Sequence, residues 1–167
     1  MIRQQVGDVL EIQYEGNWFY IVVLTKIVMF GGNIIFAFHN KGKKLSFDEL
    51  LRSKEGFNVV ADLILAKREG IVQRIGKVDA VDLYFTTKYM RGSWTDEEGK
   101  HRGDWSIYKI SDPRNHIAEV KRLRGKYKNA MDRVTYPFSA VARMVLGNYK
   151  PNKDNYLYLE KFVDNAS

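Results

Sequence analysis

VLEIQY (Val9–Tyr14) alternates apolar and polar residues, the two-residue period of a strand with one face on a core. Glu15-Gly16-Asn17 turns the chain into WFYIVVLTKIVMF (Trp18–Phe30), a long run of β-branched and aromatic residues. Gly31-Gly32-Asn33 turns it again into IIFAFH (Ile34–His39). Two successive strand pairs joined through Gly/Asn turns predict a meander, and runs that are apolar throughout predict strands covered on both faces. Ser46 followed by Glu49 has the capping-box spacing and predicts a short helix carrying Leu50 and Leu51, with Gly56 as its stop. VVADLILA (Val59–Ala66), IVQRIGKV (Ile71–Val78) and LYFTTKYM (Leu83–Met90) return to strand composition. WSIYKI (Trp105–Ile110) predicts a further strand, joined to the previous one by a long polar tip, RGSWTDEEGKHRGD.

The pattern changes after residue 110. Asp112-Pro113 is a helix opening, and Ile117, Val120, Leu123, Tyr127, Met131 and Val134 recur every three or four residues, the helical template. Gly125 interrupts that template at a cost of roughly 1 kcal/mol relative to alanine. PFSAVARMVLGNY (Pro137–Tyr149) predicts a cleaner helix, with Phe138, Val141, Ala142 and Val145 on one face and Gly147 as the stop. The elements together predict an α+β fold: a β-rich single domain over residues 1–167, β-rich over 1–110 and more helical over 111–167. A strongly curved antiparallel sheet or small barrel would carry a few packed helices.

Composition narrows the chemistry. The 167 residues include no cysteine, which excludes disulfides, thiolate metal sites and a cysteine nucleophile. The longest apolar stretch, Trp18–Leu24, is strand-sized rather than membrane-spanning, and the N-terminus lacks a signal-peptide core, so a cytoplasmic location is expected. His39, His101 and His116 are isolated in sequence without metal-ligand spacing, and Glu97-Glu98 reads as a solvated pair. Gly31-Gly32 lacks a phosphate-loop pattern, and GxSxG, HExxH and P-loop motifs are absent. No cofactor, no metal and no catalytic residue are assigned, and a non-enzymatic role is the expectation.

The net charge of +7 is unevenly placed. Residues 1–83 carry eleven Lys/Arg against ten Asp/Glu, whereas 84–167 carry sixteen against ten. Much of the excess falls in EVKRLRGKYKNAMDR (Glu119–Arg133), where Lys121, Arg122, Arg124, Lys126 and Lys128 crowd into eight residues. Three readings are open: a solvated helix face, a nucleic-acid surface in which Tyr127 stacks, or a surface steered onto an acidic protein partner. Trp94, in the polar tip, is either an interface anchor or a residue packed back onto the sheet.

The order of segments supplies a further lead. VGDVLEIQYEGNWFYIVVL resembles the opening of the immunity protein 26 family, a GD dipeptide before a strand, a turn and an aromatic second strand. NVVADLILAKREGIVQRIGKV is similar to that family's middle segment, LYFTTKYM to its next strand, and YPFSAVARMVLGNYKPNKDNYLYLEKF to its end. Arg143 departs from the family, standing where acidic residues are common in the final helix. The resemblance implies a bacterial immunity protein of a polymorphic or contact-dependent growth inhibition system, a toxin inhibitor that binds its cognate toxin and performs no reaction. The partner site would be Lys121, Arg122, Arg124, Lys126 and Lys128 with Trp94 as a second contact, facing an acidic patch on the toxin, with no membrane involved. A basic nucleic-acid-binding module is the alternative.

Overall fold

Glu15 and Gly16 adopt positive φ angles of 47° and 75°, the two-residue turn whose twist matches that of the flanking strands. That turn joins β1 (Asp8–Tyr14) to β2 (Asn17–Ile27), which pairs in turn with β3 (Gly32–Phe38), giving the predicted antiparallel meander. The computed structural model describes residues 3–27, 31–95 and 101–151. β4 (Gly56–Asp62) and β5 (Ile71–Lys77) flank the meander, and a short β10 (Thr135–Pro137) adds in parallel to β4, so the six-stranded order is β10-β4-β3-β2-β1-β5. A second, four-stranded sheet has the order β8-β7-β6-β9. Its strands are β6 (Tyr89–Thr95), β7 (His101–Lys109), β8 (Asp112–Val120) and β9 (Met131–Asp132). The fold is therefore α+β with two mainly antiparallel sheets and a few packed helices; among the described residues the strands do not close into a barrel.

Both faces of the larger sheet are covered, as the continuous apolar runs require. Leu10, Ile12, Phe19, Ile21 and Val23 face one core together with Ile35, Phe57 and Val59. Over this face lie α3 (Phe138–Leu146) and the inner face of the second sheet, through Trp105 and Ile107. Val9, Tyr20, Val22, Leu24, Ile34 and Phe36 face the other core, capped by Leu50 of α1 (Phe47–Ser53) and by Tyr84, Met90 and Met131. The helix α3 buries Phe138, Val141, Ala142 and Val145, the predicted face, and ends at Gly147. No helix among the described residues is long and apolar enough to cross a membrane.

The capping box forms as the sequence predicts: Glu49 N–H donates to the Ser46 hydroxyl and Ser46 N–H donates to the Glu49 carboxylate. The stop is Lys54 at φ 44° rather than Gly56, which instead opens β4. Three expected elements differ from the structure. Val59–Ala66 is not one strand: Asp62 accepts hydrogen bonds from the N–H groups of Ile64 and Leu65 and so starts α2 (Leu63–Glu69). Leu83–Met90 becomes a strand only from Tyr89, because Asn58 draws the preceding residues into an irregular loop after a 3₁₀ turn at Val81–Tyr84. The Asn58 amide donates to Tyr84 O, and its carbonyl accepts from the N–H and hydroxyl of Thr86.

The largest correction concerns the segment expected to be helical after residue 110. Asp112–Val120 is a strand, turned back from β7 through Ile110-Ser111. Ala118 and Val120 alternate inward with the period of two, whereas Ile117, which the helical pattern places inside, is 42% exposed. Gly125 at φ 55° occupies the left-handed region, outside the α-helical range, and a single 3₁₀ turn at Gly125–Tyr127 stands where the helix was expected. Val134 is also exposed.

Candidate functional site

β8 ends at Val120, and the basic run follows as an irregular segment along the rim of the second sheet. Leu123 is buried in the core, and Tyr127 packs edge-on against Tyr89 with ring centroids 4.9 Å apart. The backbone between them is held by Tyr127 N–H donating to Arg124 O and Lys128 N–H donating to Gly125 O. With the apolar residues turned in, Lys121, Arg122, Arg124, Lys126 and Lys128 are all exposed. The three- and four-residue spacing of Val120, Leu123 and Tyr127 is thus met by a strand end and a 3₁₀ turn instead of by a helix.

Among the described residues, none of the five cations forms an ion pair. Lys126 Nζ lies 5.0 Å from the Tyr127 ring centroid and 5.9 Å from that of Tyr89, a cation–π placement that holds one ammonium near the sheet. The run is anchored at Leu123 and Tyr127 and projects positive charge on either side of and between them. In β6, Trp94 pairs with Arg102 of β7, and Val120 pairs with Trp105. The backbone of Trp94 therefore lies toward the same end of the second sheet as the basic run. The Trp94 side chain, the Glu97-Glu98 pair and the His101 side chain lie outside the described residues.

The other two histidines sit apart. His116 is exposed on β8, 3.8 Å from Glu119. His39 is half-buried against Phe57, and its Nδ1 is out of solvent without a hydrogen-bond partner. Burial lowers its pKa, and this outweighs a backbone hydrogen bond to Tyr149 and the nearby Glu55, which act in the opposite direction. Among the described residues no three His, Cys, Asp or Glu side chains converge as a metal site.

A buried charge cluster lies inside the fold, unmarked by any local sequence signal. Arg91, 1% exposed, donates from Nε to Asp132 Oδ1 at 2.8 Å and from Nη1 to Pro151 O at 2.9 Å. Asp132 Oδ2 accepts from the Tyr136 hydroxyl at 2.9 Å, and the guanidinium lies over the Trp105 ring. Burial alone would lower the arginine pKa, but Asp132 outweighs it and holds the group charged; burial and then Asp132 raise the Tyr136 hydroxyl. Arg91 and Asp132 are 41 residues apart, so spacing gives no hint of the pair. With its polar atoms matched, the cluster ties the second sheet to β10 and to the chain after α3, a structural task.

No protein-family model, curated protein or solved structure matches the chain.

Proposed function

We infer that this chain is a non-enzymatic binding protein that neutralises a cognate bacterial toxin by occupying it, as the resemblance to the immunity protein 26 family implies. The observation that carries the reading is the basic segment itself: five exposed cations, unpaired among the described residues, held on the sheet rim by Leu123 and Tyr127. Such a surface repels itself in the free protein and gains on meeting an acidic patch. Nucleic acid is the less favoured partner, because Tyr127 is packed on Tyr89 and crossed by Lys126 rather than presenting an open stacking face.

The test is charge reversal, Lys121→Glu, Arg122→Glu and Lys128→Glu together, assayed against a toxin encoded beside this chain's gene. The association rate should fall first, and the loss should shrink as salt is raised. A folded triple variant that binds and protects as well as the parent would remove the site assignment, leaving the run a solvated rim.

A further inference from the structure

Among the described residues β8 is an edge strand, paired with β7 on one side, and its two halves differ. The first half is blunted: Pro113 carries no N–H, its carbonyl accepts from Arg133 Nε, and the register slips twice opposite Tyr108. These are devices by which proteins discourage strand pairing. Ala118, Glu119 and Val120 have none of them. These three pair in regular register with Ile107, Ser106 and Trp105; Ile117, at the bulge just before them, exposes an apolar side chain, and a bend carrying Lys121 and Arg122 follows them directly.

We propose that Ala118, Glu119 and Val120 form a strand-addition site, which takes an extended segment of the partner protein with an apolar residue near Ile117 and acidic residues near Lys121 and Arg122. The proposal rests on the reading of the basic run as a protein interface and specifies how the partner is held. Backbone hydrogen bonds along the free edge supply affinity independent of sequence, alternate side chains supply selectivity, and the cations fix the register. Glu119, exposed on the same strand, disfavours an acid directly opposite it, so the partner's charge belongs beyond that point.

The probe is a fluorescein-labelled peptide of valines and threonines with two adjacent glutamates at one end, compared by anisotropy with the same peptide in which prolines replace residues of the valine–threonine stretch and prevent it from joining a sheet. In an antiparallel ladder successive residues send their N–H groups to opposite sides, so one of Ala118 and Glu119 donates toward β7 and the other toward solvent. Ala118→Pro and Glu119→Pro are both made, and circular dichroism identifies the variant that stays folded as the outward one; Glu119→Gln controls for charge. The parent should bind the extended peptide at least about tenfold more tightly than the proline-interrupted one, equivalent to the loss of one or two backbone hydrogen bonds. The folded proline variant should lose that preference while binding the interrupted peptide unchanged. Equal binding of the two peptides by the parent would overturn strand addition yet leave an acidic-partner surface standing. Binding of neither peptide, or undiminished binding by the triple glutamate variant, would overturn both. Displacement of the peptide by an oligothymidylate that binds more tightly would overturn both in favour of nucleic acid.

Discussion

Arg91 shows how much one residue can carry when its charge is buried. Removing one partner of a buried, hydrogen-bonded ion pair leaves the other uncompensated, so Asp132→Asn should cost about 3–5 kcal/mol in urea unfolding. The double variant Arg91→Met with Asp132→Leu should be less damaging than the single one; if both cost the same, the pair is not the source of the effect. His39 is predicted to make stability fall with acidity. Its folded pKa lies below its unfolded value, so protonation favours the unfolded chain. The contribution is fully present above about pH 6.5, the ordinary histidine value, and is lost as pH falls from there toward the folded pKa. The decline in unfolding midpoint between neutral and mildly acidic pH should be shallower in His39→Phe; an unchanged slope assigns it to other groups. The five cations were legible as a surface because charge density needs no fold to be seen, whereas Arg91 resembles any other arginine until Asp132 is brought beside it.

Local pattern decided most of the elements. The β1–β2–β3 meander, the Ser46–Glu49 capping box and the apolar face of α3 each follow from contacts within a few residues, and each was legible. Where the sequence misled, a competing hydrogen-bond partner won: the Asp62 cap starts α2 within what reads as a strand. Asn58 holds Thr86 from 28 residues away, and β8 acquires its extended form from pairing with β7. Asn58→Ala would strand the backbone groups of Tyr84 and Thr86 and should cost about 2–3 kcal/mol, since unmade buried hydrogen bonds carry a desolvation penalty. Chemical denaturation checks this, and a loss under about 0.5 kcal/mol, the level of an ordinary surface change, would show that the loop is held by something else.

At the scale of the whole molecule, one short stretch of chain pairs with both sheets and adds to the packing of Trp105 and Ile107 against the larger one. β9 pairs in parallel with β6 of the smaller sheet, and after Arg133 and Val134 the same stretch becomes β10, parallel to β4 of the larger one. Neither pairing is local, so the stretch is expected to dock late, once the strands it pairs with are in place. Once docked it acts as a latch, because sliding one sheet past the other would tear both short ladders and the Asp132–Tyr136 hydrogen bond together. Native-state hydrogen exchange should therefore give the slowest amides of β2 and of β7 the same opening free energy, as in a single cooperative unit. Two distinct values would mean that the sheets open separately. A partner gripping β8 would then be holding a rigid handle: force or binding energy applied at the rim of the smaller sheet is transmitted through the latch to the larger one, so a tightly bound complex should slow global unfolding as well as protect the rim.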